Sequence, residues 1–319
     1  MQSTTDILLL GAGGKVAQFL VRLFLSETDW SMTLLSSQDI GARYPVSPRL
    51  EFVQTAATDA KEVRRECLSR QPRVIINCAA MTNVDACESD KQTASALNVK
   101  VVENLVRACS ITEAHLIHFS TDYVFNGEKG PYTETDLPDP INYYGRTKLA
   151  GENAILTSKI PSTIIRTNIV YGHLPGVKKD FVTWVRDSCA EGTPISVVND
   201  QFGNPTAAAD IAAATMRIME KGRTGIYHVA GPEYLDRFSF ACRIADFFGV
   251  DASCIKPQTT AELRQPAKRP LRAGLVTLKA ETDLGIRLTR IDDGLLEYKR
   301  YGSARPSVLG DFSSSRASS

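Results

Sequence analysis

The chain has 319 residues, 43% of them hydrophobic and 23% charged, and 37 basic against 36 acidic side chains leave a net charge of +1. That length allows one large core or two small lobes. The charge balance excludes a basic field for nucleic acid or an anionic membrane surface, and no apolar run approaches the ~20 residues of a membrane span. The opening "MQSTTDILLLGAGG" has neither a basic n-region nor a cleavage site, so it does not read as a signal peptide. Seven scattered cysteines without a CxxC pair argue against a disulfide framework or a zinc site; they predict reduced thiols in a cytoplasm, with no metal. The four histidines are dispersed as well. His115 and His118 fall in an apolar run that reads as a strand, which assigns them structural roles.

Short apolar runs alternate with helix-length segments along the first half. "DILLLG" precedes an amphipathic stretch from Val16 to Leu25; "MTLLS" and "LEFVQ" precede a charged helical segment from Lys61 to Ser69. "RVIINCAA" leads into a long helical pattern around Ser95–Ser110, and "HLIHFST" and "STIIRTNIV" complete the series. This alternation predicts an α/β fold, a doubly wound parallel Rossmann sheet of six strands with ligands at the carboxyl ends of its strands. The dinucleotide-binding domain is expected over residues 1–172. Residues 173–302 are expected to form mostly a smaller C-terminal substrate lobe, with segments of about 195–232 returning to the main sheet. There "PISVVND" and "GIYHVAG" read as strands and "FSFACRIADFFGV" as a helix. The Ser-rich stretch 303–319 reads as a disordered tail.

The first strand ends in "LLLGAGGKVAQFL", where Gly11, Gly14 and Ala17 have G-x-x-G-x-x-A spacing. Such a loop lets the backbone approach a pyrophosphate, which the N–H groups and positive dipole end of the following helix then hold. Gly11, Gly13, Gly14, Lys15 and Val16 are therefore candidate cofactor contacts. At the end of the second strand, where NAD-selective folds often carry an acid for the ribose 2′-hydroxyl, stand Ser36 and Ser37. Neither repels a 2′-phosphate, and Arg43 is the nearest cation, so NADP(H) is preferred over NAD(H). Asp39 is the residue that would reverse this preference.

In "NYYGRTKLAGE", residues 142–152, Tyr144 and Lys148 lie one helical turn apart on one face, while Tyr143 points elsewhere. A phenol with its ordinary pKa near 10 is a poor acid or base at neutral pH. An ammonium beside it favours the phenolate, and the same lysine can hold the nicotinamide ribose hydroxyls. Tyr144 so tuned can protonate a carbonyl oxygen as hydride reaches carbon. Upstream, "HFSTDYVFNG" ends the fifth strand and brings Ser120, Thr121 and Asp122 to the ligand-binding edge, where the Thr121 hydroxyl can hold a substrate carbonyl against Tyr144. "NCAAMTNVDACE" ends the fourth strand there too: Ala79 and Ala80 permit close cofactor approach and Thr82 can hydrogen-bond.

These residues closely resemble the extended short-chain dehydrogenase/reductases, and within them the dTDP-4-dehydrorhamnose reductase family, whose members also look like the non-catalytic β subunit of methionine adenosyltransferase. The matching segments are "GAGGKVA", "NCAAMTNVDACE", "HFSTDYVFNGEKGPYTETDLPDPINYYGRTKLAGE", "IIRTNIVYG" and "NDQFGNPTAAADIA", with a weaker match at "AKRPLRAGL". The resemblance implies a Thr121–Tyr144–Lys148 catalytic triad and hydride delivery to a 4-keto nucleotide sugar. The expected cofactor contacts extend to Asn98, Ser120 and Asn168, and the expected substrate contacts are Thr121, Asp122, Tyr123, Val124, Phe125, Ile169 and Arg272. "DQFGNPT" matches a segment that supports the substrate lobe.

Three departures from the family pattern stand out. Ala56 stands where an aspartate usually touches adenine. Ile169 replaces the tryptophan of an "RTSWVYG"-like segment, and Arg272 and Ala273 replace Asn and Ser of "RPxNS". The last two put dTDP-4-dehydrorhamnose itself in doubt and leave the triad intact. The expected function is an NAD(P)H-dependent reductase of a nucleotide-linked 4-keto-6-deoxysugar, with the nucleotide sugar as partner and a homodimer as a possible assembly. The alternatives are a non-catalytic NADP-binding regulatory subunit and a nucleotide-sugar epimerase or dehydratase.

Overall fold

The computed structural model describes residues 5–174 and 176–303. Its central sheet has seven parallel strands: β1 (Ile7–Leu10), β2 (Met32–Ser36), β3 (Leu50–Gln54), β4 (Val74–Asn77), β5 (His115–Thr121), β6 (Ser162–Thr167) and, after four short strands, β11 (Gly225–His228). The spatial order is β11-β6-β5-β4-β1-β2-β3. The chain therefore reverses its winding direction between β1 and β4, where an open parallel sheet forms its ligand crevice.

The near-continuous apolar runs of β1 and β4 follow from burial on both faces. Along β1, Ile7 and Leu9 face one layer and Leu8 and Leu10 the other. The first layer holds α1 (Lys15–Glu27) and, later in the chain, α8 (Ala208–Lys221) and α11 (Leu278–Leu284). The second holds α2 (Ala60–Arg70), α5 (Val101–Thr112) and α6 (Tyr143–Leu156). Between α2 and α5 lie two short helices, α3 (Val84–Ser89) and α4 (Lys91–Ser95). The starts of α2 and α6 are fixed by side-chain caps: Asp59 accepts from the Glu62 N–H and Asn142 from the Gly145 N–H.

The C-terminal lobe has its own core, built on α7 (Phe181–Ala190), α9 (Arg237–Phe248) and α12 (Ile291–Ser303). Two-stranded pieces complete it: β7 (Val170–Tyr171) with β10 (Thr206–Ala207), β9 (Phe202–Gly203) with β12 (Leu235–Asp236), and β8 (Ile195–Val198) with β13 (Ile255–Gln258). One expectation changes here. "GIYH", within the segments expected to return, adds a seventh strand to the six of the first half by pairing in parallel with β6. "ISVV", expected among the returning segments, pairs with β13 inside the lobe instead, where α9 packs against both strands. The tail expected from residue 303 lies, beyond Ser303 at the end of α12, outside the described residues. No helix among the described residues is long and apolar enough to cross a membrane.

Candidate active site

Two cavities open along the carboxyl edge of the sheet and share Gly14, Cys78, Ala79 and Ala80. One, of about 820 Å³, runs over Gly11, Gly13 and Gly14 to Ser36, Ser37 and Gln38, and on to Thr55 through Thr58. The other, of about 600 Å³, lies over Lys15, Val16, Thr82, Ser120, Thr121, Asp122, Tyr123, Tyr144, Lys148, Asn168 and Ile169. The glycine loop thus leads directly to the tyrosine.

The start of α1 is open to an anion. Its N-cap is Gly14, no side chain caps it, and its first turn carries no acid. Beside the first cavity Arg43 reaches two of its lining residues, donating to the Gly13 carbonyl at 3.2 Å and to Gln38 Oε1 at 3.1 Å. Asp39 is occupied differently, accepting from the Gly41 N–H at 3.1 Å. Lys15 donates to the Gly172 carbonyl at 2.7 Å and pairs with Asp180, the N-cap of α7, so it fastens the glycine loop to the substrate lobe. Two hydroxyls in the second cavity, Ser120 Oγ and Thr167 Oγ1, are buried without a hydrogen-bond partner among the described residues. Unpaired buried donors at the edge where ligands bind suit a polar group of a bound cofactor.

Tyr144 begins α6 as expected, buried, with its ring edge-to-face against Tyr123 at 5.9 Å between centroids. Gly145 explains how it gets there. A Cβ at this position would lie 2.1 Å from the Tyr123 carbonyl oxygen, so only glycine lets α6 approach the end of β5 so closely. The Thr121 hydroxyl is then a hydrogen-bonding neighbour of the Tyr144 phenol. Tyr143 turns away. Its N–H donates to Glu88 at 2.7 Å and its ring sits 5.4 Å from the Lys91 ammonium.

Lys148 corrects one expectation. It is buried, and its ammonium donates to the Phe119 carbonyl at 2.6 Å and to His118 Nε2 at 3.3 Å. The tyrosine is therefore not held as a phenolate by an adjacent ammonium: burial pushes the Tyr144 pKa up, and the Thr121 hydrogen bond opposes this only in part. Burial likewise lowers Lys148, to about 8. His118 is less incidental than its position in the strand implied. It braces Lys148 on one side and Asn77 on the other, at 3.1 Å, and burial followed by the Lys148 charge holds it neutral.

A buried polar chain runs behind the phenol. Thr121 Oγ1 donates to Asp122 Oδ1 at 3.1 Å, Asn168 Nδ2 donates to Asp122 Oδ2 at 3.1 Å, and Thr206 Oγ1 reaches Asn168 Oδ1 at 3.4 Å. Asp122 is 4% exposed, and burial raises its pKa to about 6. Ionised Asp122 claims the Thr121 proton; protonated Asp122 can donate to Thr121 and free that proton for a ligand oxygen.

Several expected contacts sit elsewhere. The Val124 and Phe125 side chains are fully buried in a core with Tyr132 and Leu275, not in the cavity. Arg272 is exposed, with its guanidinium over the Phe202 ring at 5.4 Å, outside the cavity lining. Asn98 is buried behind the cavities, clamping the Met81 backbone and Thr147. Ile169 does line the cavity, with a φ of 41° that is rare for a β-branched side chain. Its Cδ1 would be 2.8 Å from a Cβ on Gly203. The sequence reading missed Thr167, Gln38 and Arg237 of α9. Thr167 is the last residue of β6 and Gln38 falls just after β2, neither in a recognisable motif, and Arg237 carries no local motif.

The fold and the site together define a dinucleotide-binding oxidoreductase scaffold of the short-chain dehydrogenase/reductase type. The chain belongs to the RmlD substrate-binding domain family, whose model matches residues 5–300. It is 36% identical over 270 residues to a dTDP-4-dehydrorhamnose reductase of Mycobacterium tuberculosis, covering 82% of this chain and 82% of that protein. It is 32% identical over 286 residues to methionine adenosyltransferase 2 subunit beta of Mus musculus, covering 88% and 82%. A solved dTDP-4-dehydrorhamnose reductase of Bacillus anthracis in complex with NADP matches with a TM-score of 0.81 and 26% identity, over 93% of this chain and 99% of that one.

Two outcomes follow from this geometry. Alanine is the better helix former by about 1 kcal/mol, yet Gly145→Ala should lower stability by roughly 1–3 kcal/mol through overpacking. Thermal melts read the loss of stability and turnover the displacement of Tyr144 that follows it; a stable, fully active variant would contradict the close approach. For Asp122, folding raises the pKa from 3.8 to about 6, so the folded chain keeps a proton that the unfolded chain has released. That contribution favours folding at low pH and is lost as pH rises through about 6. Denaturant titrations across this range should show Asp122→Asn gaining up to ~3 kcal/mol on wild type by pH ~7.5.

Proposed function

We propose that this chain is an NADPH-dependent reductase of a nucleotide-linked 4-keto-6-deoxysugar. The observation that carries the reading is the Thr121–Tyr144 hydroxyl pair in a cavity continuous with the open start of α1. A nicotinamide dinucleotide, when bound, supplies the hydride. Gly11, Gly13 and Gly14 with the first N–H groups of α1 would hold its pyrophosphate, and Ser36, Ser37, Gln38 and Arg43 its adenosine 2′-phosphate. Arg43 at the loop and the engagement of Asp39 with the Gly41 backbone support NADPH over NADH.

The high pKa of Tyr144 keeps the phenol protonated at neutral pH, the form a reductase needs. Tyr144 gives its proton to the keto oxygen while Thr121 hydrogen-bonds the same atom. Lys148 would hold ribose hydroxyls, and its braces on Phe119 and His118 set where its ammonium sits. Asp122, Tyr123, Asn168 and Ile169 surround the sugar. The scattered cysteines, with no CxxC pair, support a cytoplasmic setting. A second reading, a non-catalytic regulatory subunit, is favoured by the similarity to methionine adenosyltransferase 2 subunit beta.

NADPH oxidation with a panel of 4-keto nucleotide sugars tests the proposal. Turnover should fall by about 10²–10⁴-fold in Tyr144→Phe and stay close to wild type in Tyr143→Phe. A folded, cofactor-binding protein that turns over none of the panel would leave the regulatory reading. Replacing Arg43 with Ala should raise the KM for NADPH by about tenfold or more, with little change for NADH; equal effects on both would remove Arg43 from the 2′ site.

A further inference from the structure

Residues 267–271 run as a strap from the substrate lobe to the starts of α3 and α6. At its lobe end the Leu271 carbonyl accepts from the Phe202 N–H of β9 at 2.6 Å. At its other end Asp85, in the first turn of α3, accepts from the Ala267 N–H at 3.0 Å and from the Arg269 guanidinium at 2.8 Å. Between these ties Pro270 is buried against the loop after β5, where a Cβ on Gly127 would lie 2.5 Å from the Pro270 Cβ. One further tie reaches α6. Asn142 Nδ2 donates to the Lys268 carbonyl at 2.9 Å, while its Oδ1 caps the helix at the Gly145 N–H, 2.8 Å away.

Asn142 is 2% exposed, and both ends of its amide are engaged. A single acceptor is enough to cap a helix, and serine or aspartate serves there about as well as asparagine. What asparagine adds is the donor, and that donor goes to a carbonyl 126 residues further along the chain. Tyr144 stands two residues after it. The first turn of α6 is thus held twice on α3: directly, by the Tyr143 N–H on Glu88, and indirectly, through the strap on Asp85. Neither Asn142 nor residues 267–271 line either cavity, so an effect of theirs on a bound ligand must pass through the start of the helix. Misplacing a reacting group by about 1 Å can cost on the order of 100-fold in rate.

We infer that Asn142 is a positioning residue for the reduction proposed above: through it the strap of the substrate lobe sets where α6 begins, and with that where the Tyr144 phenol lies relative to Thr121. This rests on Tyr144 being the proton donor. The lobe then has a part in the chemistry without touching the reacting atoms.

Steady-state NADPH oxidation by the full chain, with a 4-keto nucleotide sugar that wild type turns over, tests this together with NADPH titrations and thermal melts. Asn142→Ser keeps a cap acceptor and loses the strap donor. It should lower kcat by roughly ten- to a hundredfold, leave NADPH affinity unchanged and melt close to wild type. Asn142→Asp, also a cap without a donor, should behave alike. Added to Tyr144→Phe, Asn142→Ser should cost nothing further, because a residue that acts through the phenol has then nothing to place. Asp85→Ala loosens the strap from α3 and should lower kcat by a smaller factor; its side chain is half-buried, and it carries the test if the Asn142 variants do not fold. Wild-type kcat in folded Asn142→Ser, or in Asp85→Ala where the former does not fold, would overturn the inference and leave the reductase reading standing. A loss that adds in full to that of Tyr144→Phe would overturn it too, as general loosening of the fold. A fully active Tyr144→Phe, or a wild type that turns over no sugar of the panel, would bring down the reading of the site, and this inference with it.

Discussion

A carboxylate with no exposure, Glu152, holds the reactive helix in place. It receives the Arg166 guanidinium at 2.6 Å, joining α6 to β6, and its charge opposes the loss of the Lys148 proton one turn away. Arg166 in turn lies over the Phe125 ring at 5.2 Å and beside His228 of β11 at 3.5 Å. Removing one partner of such a buried pair strands the other charge, which is why the pair behaves as a single unit. The position of Tyr144 and Lys148 thus depends on a contact made some distance from any ligand. Gly145 sets how near α6 can come to β5, and Glu152 sets how it is pinned once there.

The chain Thr206–Asn168–Asp122–Thr121 gives the "DQFGNPT" segment a physical role. Asn204 of that segment donates to the Gly231 carbonyl at 2.9 Å and accepts from the Leu275 N–H at 2.9 Å. Thr206 accepts from the Gly231 N–H at 3.1 Å. One short stretch therefore ties the return of the chain after β11 to the polar groups behind the phenol. The link is rigid because every member is buried and most of its capacity is used.

Much of this was legible in the residues. Apolar runs of strand length, a glycine loop after the first and hydroxyls at the end of the fifth are local signals, and burial on both faces makes them read cleanly. Tyr144 could be separated from Tyr143 because helical spacing is itself local. What failed was direction. Val124 and Phe125 follow Thr121 in sequence, but the short helical turn after β5 sends them into the core. Arg272 looked like a pocket cation, yet it pairs along β9 and lies on Phe202. Lys148 shares a face with Tyr144, but the nearer acceptors on β5 decide where its ammonium goes. Arg237 had no signal, since only the packing of α9 against the lobe brings it over the sheet edge.

Ile169 carries a last consequence. Its backbone sits where branched side chains are disfavoured, and its side chain fills space that only a glycine at 203 leaves open. The two positions are 34 residues apart in sequence and in contact across β7 and β9. The wall of the second cavity therefore cannot drift at one of them alone: a change that is tolerated at 169 depends on what stands at 203, and their effects will not add. The shape of that cavity is in that sense an epistatic trait, written in a pair of residues.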